Sequence, residues 1–183
     1  MVIGMKRAVF LDRDGTLMED TGYVRRADDV RVFAGVAEAL AKLKRAGFAI
    51  VVATNQSGIG RGLLTESEYQ AVHREFLRQV GDSLIDATYF CPDHPDVATD
   101  RRKPGAGMLL EAAREHGLDL SASYMIGDKA ADIEAGRRAG LRASVLVRTG
   151  EANADAARAG ADFVADDIAA AVAWILQSSP KCG

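Results

Sequence analysis

The stretch Ala8-Val9-Phe10-Leu11-Asp12-Arg13-Asp14-Gly15-Thr16 decides the fold that we predict for this chain. Its run of apolar residues predicts a buried strand, and two carboxylates two residues apart follow where that strand ends. Such carboxylates repel each other unless a cation lies between them or one of them holds a proton. Gly15 allows a sharp turn, and Thr16 can hydrogen-bond within it. The stretch therefore predicts a site for a metal ion and a phosphate, although an acidic turn without chemistry has the same pattern.

The composition is typical of a globular protein. The 183 residues are 48% hydrophobic and 27% charged, and we expect one domain over residues 1–183. A net charge of −3 gives no reason to expect nucleic acid or an anionic membrane as a partner. No apolar run is long enough to span a bilayer, and the first residues lack the pattern of a signal peptide. The two cysteines, Cys91 and Cys182, suit a reducing cytoplasm, where we expect the protein to act.

Alternating strand-like and helix-like stretches predict an α/β fold, a doubly wound and mostly parallel sheet with helices on both faces. The predicted strands are 7–12, 48–54, 86–90, 123–127, 143–148 and a short one near 161–164. The predicted helices are 35–46, 66–80, 105–116, 129–139, 151–159 and a last one near 167–177. Thr65 and Glu68 have the spacing of a capping box at the start of 66–80. In such a sheet, ligands bind at the loops that follow the strands.

Three further polar groups follow predicted strands. Thr54-Asn55-Gln56-Ser57-Gly58 offers small hydrogen-bond donors that suit phosphate oxygens, although a polar loop without function has the same composition. Arg101-Arg102-Lys103-Pro104 is basic, and we interpret Pro104 as the start of a helix that fixes this run in place. Gly127-Asp128 ends the fourth strand, and Asp132 follows one helical turn later.

In this order, the motifs resemble the haloacid dehalogenase superfamily of phosphatases. Asp12-Arg13-Asp14-Gly15-Thr16, Thr54 to Gly62, Arg102-Lys103-Pro104 and Gly127-Asp128-Lys129 are similar to its branch of heptose-bisphosphate and histidinol-phosphate phosphatases. The resemblance extends from about Lys6 to the final helix. Only 17–34 separates the acid pair from the first helix, so we expect no cap domain.

The resemblance implies a division of roles between the residues. Asp12 would be the nucleophile that forms an aspartyl-phosphate, and Asp14 the general acid and base. Mg²⁺ would be held by Asp12, Asp128 and the backbone carbonyl of Asp14. Thr54 and Lys103 would hold the phosphoryl oxygens.

Further residues have supporting roles in this interpretation. Arg13, Asn55 and Arg102 would contact the substrate. Lys129 would neighbour Asp128, and we expect Asp132 to order the loop rather than to bind the metal.

The chain departs from the branch in its zinc loop. Relatives carry four ligands there, whereas this chain has Asp93, Thr99 and Arg101 at three of the matching positions. Two remaining groups, Cys91 and His94, make no closed tetrahedral site, so we do not expect zinc. We interpret Cys91 as buried and His94 as a surface residue. His73 and His116, on predicted helices, are interpreted as structural.

The leading hypothesis is an Mg²⁺-dependent, monomeric phosphatase acting on a small phosphorylated sugar, above all at the 7-phosphate of glycero-manno-heptose 1,7-bisphosphate. The alternatives are a histidinol-phosphate phosphatase, a polynucleotide 3′-phosphatase, which the acidic charge disfavours, and a receiver-like phospho-acceptor. Arg101 and Arg102 favour a bisphosphate, because a guanidinium fork matches a second phosphate. Either arginine could instead pair with an acid such as Asp93, Asp96 or Asp100.

Overall fold

The computed structural model describes residues 5–150 and 160–179. Its sheet has six parallel strands in the order β3-β2-β1-β4-β5-β6. The strands are β1 (Ala8–Leu11), β2 (Ala49–Asn55), β3 (Ala87–Cys91), β4 (Tyr124–Gly127), β5 (Ala143–Val147) and β6 (Phe163–Ala165). The helices of the described residues are α1 (Val36–Arg45), α2 (Ser57–Gly60), α3 (Glu66–Val80), α4 (Gly107–His116), α5 (Ala130–Ala139) and α6 (Ile168–Ser178).

The chain begins in the middle of the sheet. It moves outward through β2 and β3, then returns to the other side of β1 and continues through β4, β5 and β6. Leu11, the last residue of β1, is in register with Val52 on one side and with Ile126 on the other. Because all strands are parallel, the residues that follow β1, β2 and β4 meet at one edge of the sheet, where the strand order reverses.

Two apolar layers cover the two faces of the sheet. Val9 and Leu11 of β1 point into a core formed with α1, α3 and α6. Ala8 and Phe10, which alternate with them, pack into a second core with α4. A strand buried on both faces reads as a continuous apolar run, which explains the sequence of β1. The predicted α/β fold with helices on both faces is confirmed.

Element boundaries agree with the sequence predictions to within about two residues for the elements that the structure describes. The capping box of α3 is present, with Glu68 N donating to Thr65 Oγ1 at 3.2 Å. The interpretation of Pro104 as a helix start is wrong, because α4 begins at Gly107. The short helix α2 was not predicted, since four residues leave no periodicity to detect. The predicted helix 151–159 lies outside the described residues.

The loops that frame the site are short. Between β1 and α1, Met18 and Val32 form an isolated antiparallel bridge, and 27–29 forms one 3₁₀ turn. Between β3 and α4, 95–97 forms another 3₁₀ turn. These stretches hold no inserted cap domain in the part of the chain that the structure describes, in agreement with the prediction. No helix in those residues is long and apolar enough to cross a membrane.

His73 is a buried histidine on α3. Its ring stacks with Tyr69 at 5.7 Å and with Phe76 at 5.9 Å between ring centroids. Burial and the charge of Arg13 lower the pKa of His73, the charge of Asp14 partly opposes this, and the net pKa is about 4. The folded protein therefore keeps His73 neutral over a pH range in which an unfolded chain would protonate it.

We predict that acid destabilises the protein through His73. Between pH 6.5 and pH 4 the unfolded state binds a proton at this position and the folded state does not, so the free energy of unfolding falls as the pH falls. His73→Phe removes the imidazole that takes up this proton. From pH 7 to pH 5, the wild type should lose about 1–2 kcal/mol more stability than the variant in urea titrations. Parallel pH dependences for the two proteins would contradict the assignment.

Candidate active site

The residues predicted to carry the chemistry lie at the carboxyl edge of β1, β2 and β4. Asp12 follows β1, and its backbone N–H donates to the carbonyl of Ile126 in β4 at 2.9 Å. Thr54 lies near the end of β2, and Asp128 directly follows β4. These elements border a cavity of about 310 Å³. Its lining includes most of the predicted site residues, namely Asp12, Arg13, Asp14, Thr54, Asn55 and Lys103.

Lys103 is buried at the floor of the cavity, with only 3% of its surface exposed. Its Nζ contacts Asp12 Oδ1 at 2.8 Å and Asp132 Oδ1 at 2.5 Å. Burial by itself disfavours the ammonium, but the charges of Asp12 and Asp132 more than offset this and raise the pKa of Lys103. Lys103 is therefore charged at neutral pH.

Asn55 holds the backbone of Lys103. Its Nδ2 donates to the carbonyl of Lys103 at 2.9 Å, and its Oδ1 accepts from the N–H of Lys103 at 3.0 Å. The side chain thus joins the end of β2 to the loop before α4. Asn55 also borders the cavity, so its predicted contact with the substrate stays a prediction beside this structural role.

Asp12, Asp128 and Asp132 form an acidic cluster. One carboxylate oxygen of each lies within 4.8 Å of the others, and all three residues are buried. Burial raises the pKa of Asp12, Lys103 lowers it and the neighbouring carboxylates raise it again, with a net pKa of about 8. Asp132 is already engaged, since Oδ1 contacts Lys103 and Oδ2 accepts from the N–H of Lys129 at 3.0 Å. Asp132 thus joins the start of α5 to Lys103, and that it does not bind the metal stays a prediction.

The donor set and its charge suit a hard divalent cation. Five carboxyl groups surround this end of the sheet against three cations, so two negative charges are in excess when all five are ionised. The carboxylates are Asp12, Asp14, Asp20, Asp128 and Asp132, and the cations are Arg13, Lys103 and Lys129. Carboxylate and carbonyl oxygens are the ligands that Mg²⁺ prefers. The residues present therefore fit the predicted magnesium ion.

Two glycines allow the backbone to approach Asp128. A Cβ on Gly15 would lie 2.5 Å from Asp128 Oδ2, and a Cβ on Gly150 would also collide with this carboxylate. Gly15 additionally has a φ of +83°, which side chains rarely adopt. Thr149 Oγ1 donates to the carbonyl of Gly15 at 2.7 Å and joins the two segments. Asp128 thus lies in a cradle that only glycine permits.

Asp14 accepts hydrogen bonds from three side chains. Arg13 donates through Nε at 3.2 Å and through Nη2 at 3.0 Å. Gln56 Nε2 donates to Oδ2 at 2.7 Å, and Thr54 Oγ1 donates to the same oxygen at 3.3 Å. Asp14 is the acceptor in each of these contacts. Gln56 belongs to the polar cluster predicted to suit phosphate oxygens, but no local signal in the sequence indicates its contact with Asp14.

Arg13 is almost completely buried, with 2% of its surface exposed. Its guanidinium carbon lies 5.2 Å from the centroid of the Tyr69 ring, and the ion pair with Asp14 fixes the orientation of the guanidinium group. Nη1 has no hydrogen-bond partner among the described residues. The structure therefore gives Arg13 a contact with Asp14, and its predicted contact with the substrate stays a prediction.

The loop before Lys103 is held by hydrogen bonds. The carboxylate of Asp93 accepts from Thr99 N at 2.7 Å and from Thr99 Oγ1 at 2.6 Å, at two of the positions that the resemblance matches to zinc ligands. Cys91 is buried, as predicted, and His94 Nδ1 accepts from Asp96 N at 3.2 Å. Neither belongs to a candidate metal cluster in the described residues. That zinc is not needed stays a prediction.

The two arginines of this loop differ in their surroundings. Arg101 Nε contacts Glu111 Oε2 at 3.1 Å, so it pairs with an acid, although not with one that the sequence analysis named. Arg102 is half-buried and donates through Nη1 to the carbonyl of Asp93 at 3.4 Å. Arg102 does not line the cavity itself, and its predicted contact with the substrate stays a prediction.

The loop after β1 forms part of the rim of the cavity. Asp20 Oδ2 contacts Lys129 Nζ at 3.1 Å, which ties this loop to the start of α5. Tyr23 is 45% exposed at the cavity and packs next to Gly58, where a Cβ would collide with the ring. The site is open to a small molecule between these loops.

Comparison with known proteins agrees with this geometry. Residues 100–171 match the model of the HAD-hydrolase-like family. The D-glycero-beta-D-manno-heptose-1,7-bisphosphate 7-phosphatase of Yersinia pestis is 42% identical over 171 residues, which cover 88% of this chain and 91% of that protein. The D-glycero-D-manno-heptose-1,7-bisphosphate 7-phosphatase of Thermosynechococcus vestitus is 43% identical over 188 residues, 92% of this chain and 94% of that protein.

A solved structure has the same fold. The crystal structure of D,D-heptose 1,7-bisphosphate phosphatase from B. bronchiseptica, complexed with magnesium and phosphate, superposes with a TM-score of 0.85. It is 34% identical and covers 94% of this chain and 99% of its own. The chain therefore belongs to the HAD superfamily of phosphatases, and it is a phosphoric monoester hydrolase.

Proposed function

We propose that the protein is an Mg²⁺-dependent phosphatase that removes the 7-phosphate of D-glycero-D-manno-heptose 1,7-bisphosphate through an aspartyl-phosphate. The observation that supports this most is the pairing of buried Asp12 with Lys103 at 2.8 Å on the cavity floor, with Asp14 two residues away. The names of the relatives support the choice of sugar. A single domain over 1–183 and a monomeric protein remain parts of the same proposal.

Asp12 acts as the nucleophile. Lys103 binds Oδ1 of Asp12 and orients the carboxylate at the end of β1. A carboxylate oxygen forms a bond to phosphorus while the bond to the sugar oxygen breaks, and water then hydrolyses the acyl phosphate. The ammonium of Lys103 and the hydroxyl of Thr54 offset the charge on the phosphoryl oxygens.

Asp14 moves the protons. In the first step its carboxyl donates a proton to the departing sugar oxygen, and in the second it takes a proton from the attacking water. Each turnover thus returns Asp14 to its starting state. The two carboxylates have different surroundings, because Asp12 contacts an ammonium in a buried cluster whereas Asp14 accepts from Arg13, Gln56 and Thr54.

Asp12, Asp128 and the backbone carbonyl of Asp14 would hold Mg²⁺. When bound, the ion neutralises excess negative charge and polarises the phosphoryl group. Asp128 is kept in place by the glycine cradle, and Thr16 Oγ1 lies 3.4 Å from its Oδ1. The position of this ligand is therefore set by backbone that cannot accommodate a larger residue.

Phosphate release from a panel of esters tests the proposed function. The heptose bisphosphate should have a higher kcat/KM than the heptose monophosphate or histidinol phosphate, since a second phosphate matches Arg102 and the amine of histidinol phosphate does not. Fructose bisphosphate, which also has two phosphates, tests the choice of sugar. EDTA should stop the reaction and Mg²⁺ should restore it. A preference for histidinol phosphate, or full activity in EDTA, would contradict the proposal.

We predict that Arg102→Ala lowers the preference for the bisphosphate over the monophosphate by about 10- to 150-fold in kcat/KM, or about 1.5–3 kcal/mol, the scale of a charge-assisted hydrogen bond. Hydrolysis of the monophosphate should change little. Arg101→Ala is the matched control, because Arg101 pairs with Glu111. Equal losses on both substrates would place Arg102 in the fold or at the reacting phosphate.

We predict that Gly15→Ala abolishes activation by Mg²⁺. Its Cβ would collide with the carboxylate of Asp128. Gly47→Ala is the control, because Gly47 has the same φ of +83° and nothing within 4 Å of a Cβ. Both variants should lose about 1 kcal/mol of stability to backbone strain, but only Gly15→Ala should lose activity over a titration of Mg²⁺. Wild-type activation in Gly15→Ala would remove Asp128 from the metal site.

A further inference from the structure

Gln56 lies between two residues of the proposed mechanism. Its Nε2 donates to Asp14 Oδ2 at 2.7 Å and to Thr54 Oγ1 at 2.9 Å. The side chain is 9% exposed and borders the cavity. Oδ2 of Asp14 can accept this bond when the carboxyl group is ionised and also when it holds its proton on Oδ1, so the nitrogen end of the Gln56 amide faces Asp14.

The backbone of Gln56 is fixed on both sides. Its N–H donates to the carbonyl of Cys91, the last residue of β3, at 2.7 Å. Its carbonyl accepts from the N–H of Ile59 in α2 at 3.1 Å. The Gln56 side chain therefore extends from backbone that is fixed at the edge of the sheet. Asp14, which it contacts, lies in the turn after β1.

The other contacts of Asp14 constrain it less. Arg13 is its neighbour in the chain and moves with the same turn, so their pairing does not fix Asp14 relative to β2. Thr54 Oγ1 is 3.3 Å from Asp14, at the weak end of hydrogen-bond distances. The bond from Gln56 is the shortest of the three contacts and joins the turn after β1 to the end of β2.

We propose that Gln56 is a positioning residue for proton transfer, which holds the carboxyl group of Asp14 at a fixed place beside Thr54. The inference rests on the proposed roles of these two residues. If Thr54 holds a phosphoryl oxygen, the place of Asp14 relative to Thr54 decides whether its proton reaches the leaving oxygen. Gln56 touches neither the phosphorus nor the metal ligand oxygens in this account, so its effect passes through Asp14.

Positioning of an acid has a recognisable kinetic signature. An alkoxide is a poor leaving group and requires protonation, whereas nitrophenolate leaves with little help. A misplaced Asp14 should therefore lower kcat/KM, which reports formation of the aspartyl-phosphate, for an alkyl phosphate such as glycerol phosphate, and it should lower kcat/KM for p-nitrophenyl phosphate much less. Hydrolysis of the aspartyl-phosphate also uses Asp14, but this second step is the same for both esters and affects only kcat. Partial unfolding of the variant would instead lower kcat/KM for both esters by the same factor.

The test compares Gln56→Met with the wild type on these two esters. Methionine keeps the length of the side chain and removes the donor. We expect kcat/KM on glycerol phosphate to fall about 10- to 100-fold, the scale expected when a catalytic group is misplaced. The kcat/KM on p-nitrophenyl phosphate should change less than about threefold. Gln70→Met is the control, because Gln70 is half-buried on α3 and does not line the cavity.

Equal losses of kcat/KM on both esters, or no loss on either, would overturn the role of Gln56. If Gln56→Met does not fold, Gln56→Asn, which keeps the amide but shortens its reach, should give the same selective loss. A crystal structure of the variant that folds gives a result that does not depend on turnover. The carboxyl group of Asp14 should have moved away from Thr54. If it occupies the same position as in the wild type, the inference is overturned. The proposed function is judged separately, by the wild-type enzyme on the heptose bisphosphate.

Discussion

The buried ammonium of Lys103 is the interaction on which the rest of the site depends. It contacts Asp12 at the end of β1 and Asp132 in the first turn of α5, and Lys103 itself lies in the loop before α4. Three separate segments therefore meet at one charged atom. Removing one partner of a buried ion pair typically costs about 3–5 kcal/mol, because the remaining charge is left in a poorly polarisable interior. The same contacts that orient the nucleophile thus also hold the carboxyl edge of the sheet together.

This arrangement has a consequence for the chemistry. Lys103 offsets only part of the negative charge that the acidic cluster has when it is ionised, and burial together with the neighbouring carboxylates raises the pKa of Asp12 to about 8. A site with excess negative charge disfavours a phosphate ester, which is itself an anion. A divalent cation lowers the excess negative charge and lets an anionic ester bind, and the cradle around Asp128 brings backbone close to that ligand. The architecture therefore links substrate binding to metal binding.

Much of the fold and part of the site follow from local sequence. The apolar run of β1, the turn residues after it and the strand–helix alternation predict the parallel sheet, because each depends on neighbours in the chain. Contacts between distant segments are different. Nothing near Asn55 indicates that its amide binds the backbone of Lys103, and nothing near Gln56 indicates that it reaches Asp14. Pro104 shows the limit of a local rule, since it precedes α4 instead of starting it. The partner of Arg101, Glu111, lies in α4, and pairing across that distance has no local signal.

Covalent catalysis by Asp12 can be tested by trapping the aspartyl-phosphate. The enzyme, in excess over the phosphate-labelled heptose bisphosphate and with Mg²⁺ present, is quenched in acid within milliseconds and its peptides are mapped by mass spectrometry. We predict that the label is transiently attached to Asp12, at the end of β1, and disappears as free phosphate forms. Label on another residue, or phosphate release at the full rate with no labelled peptide at any time, would contradict it.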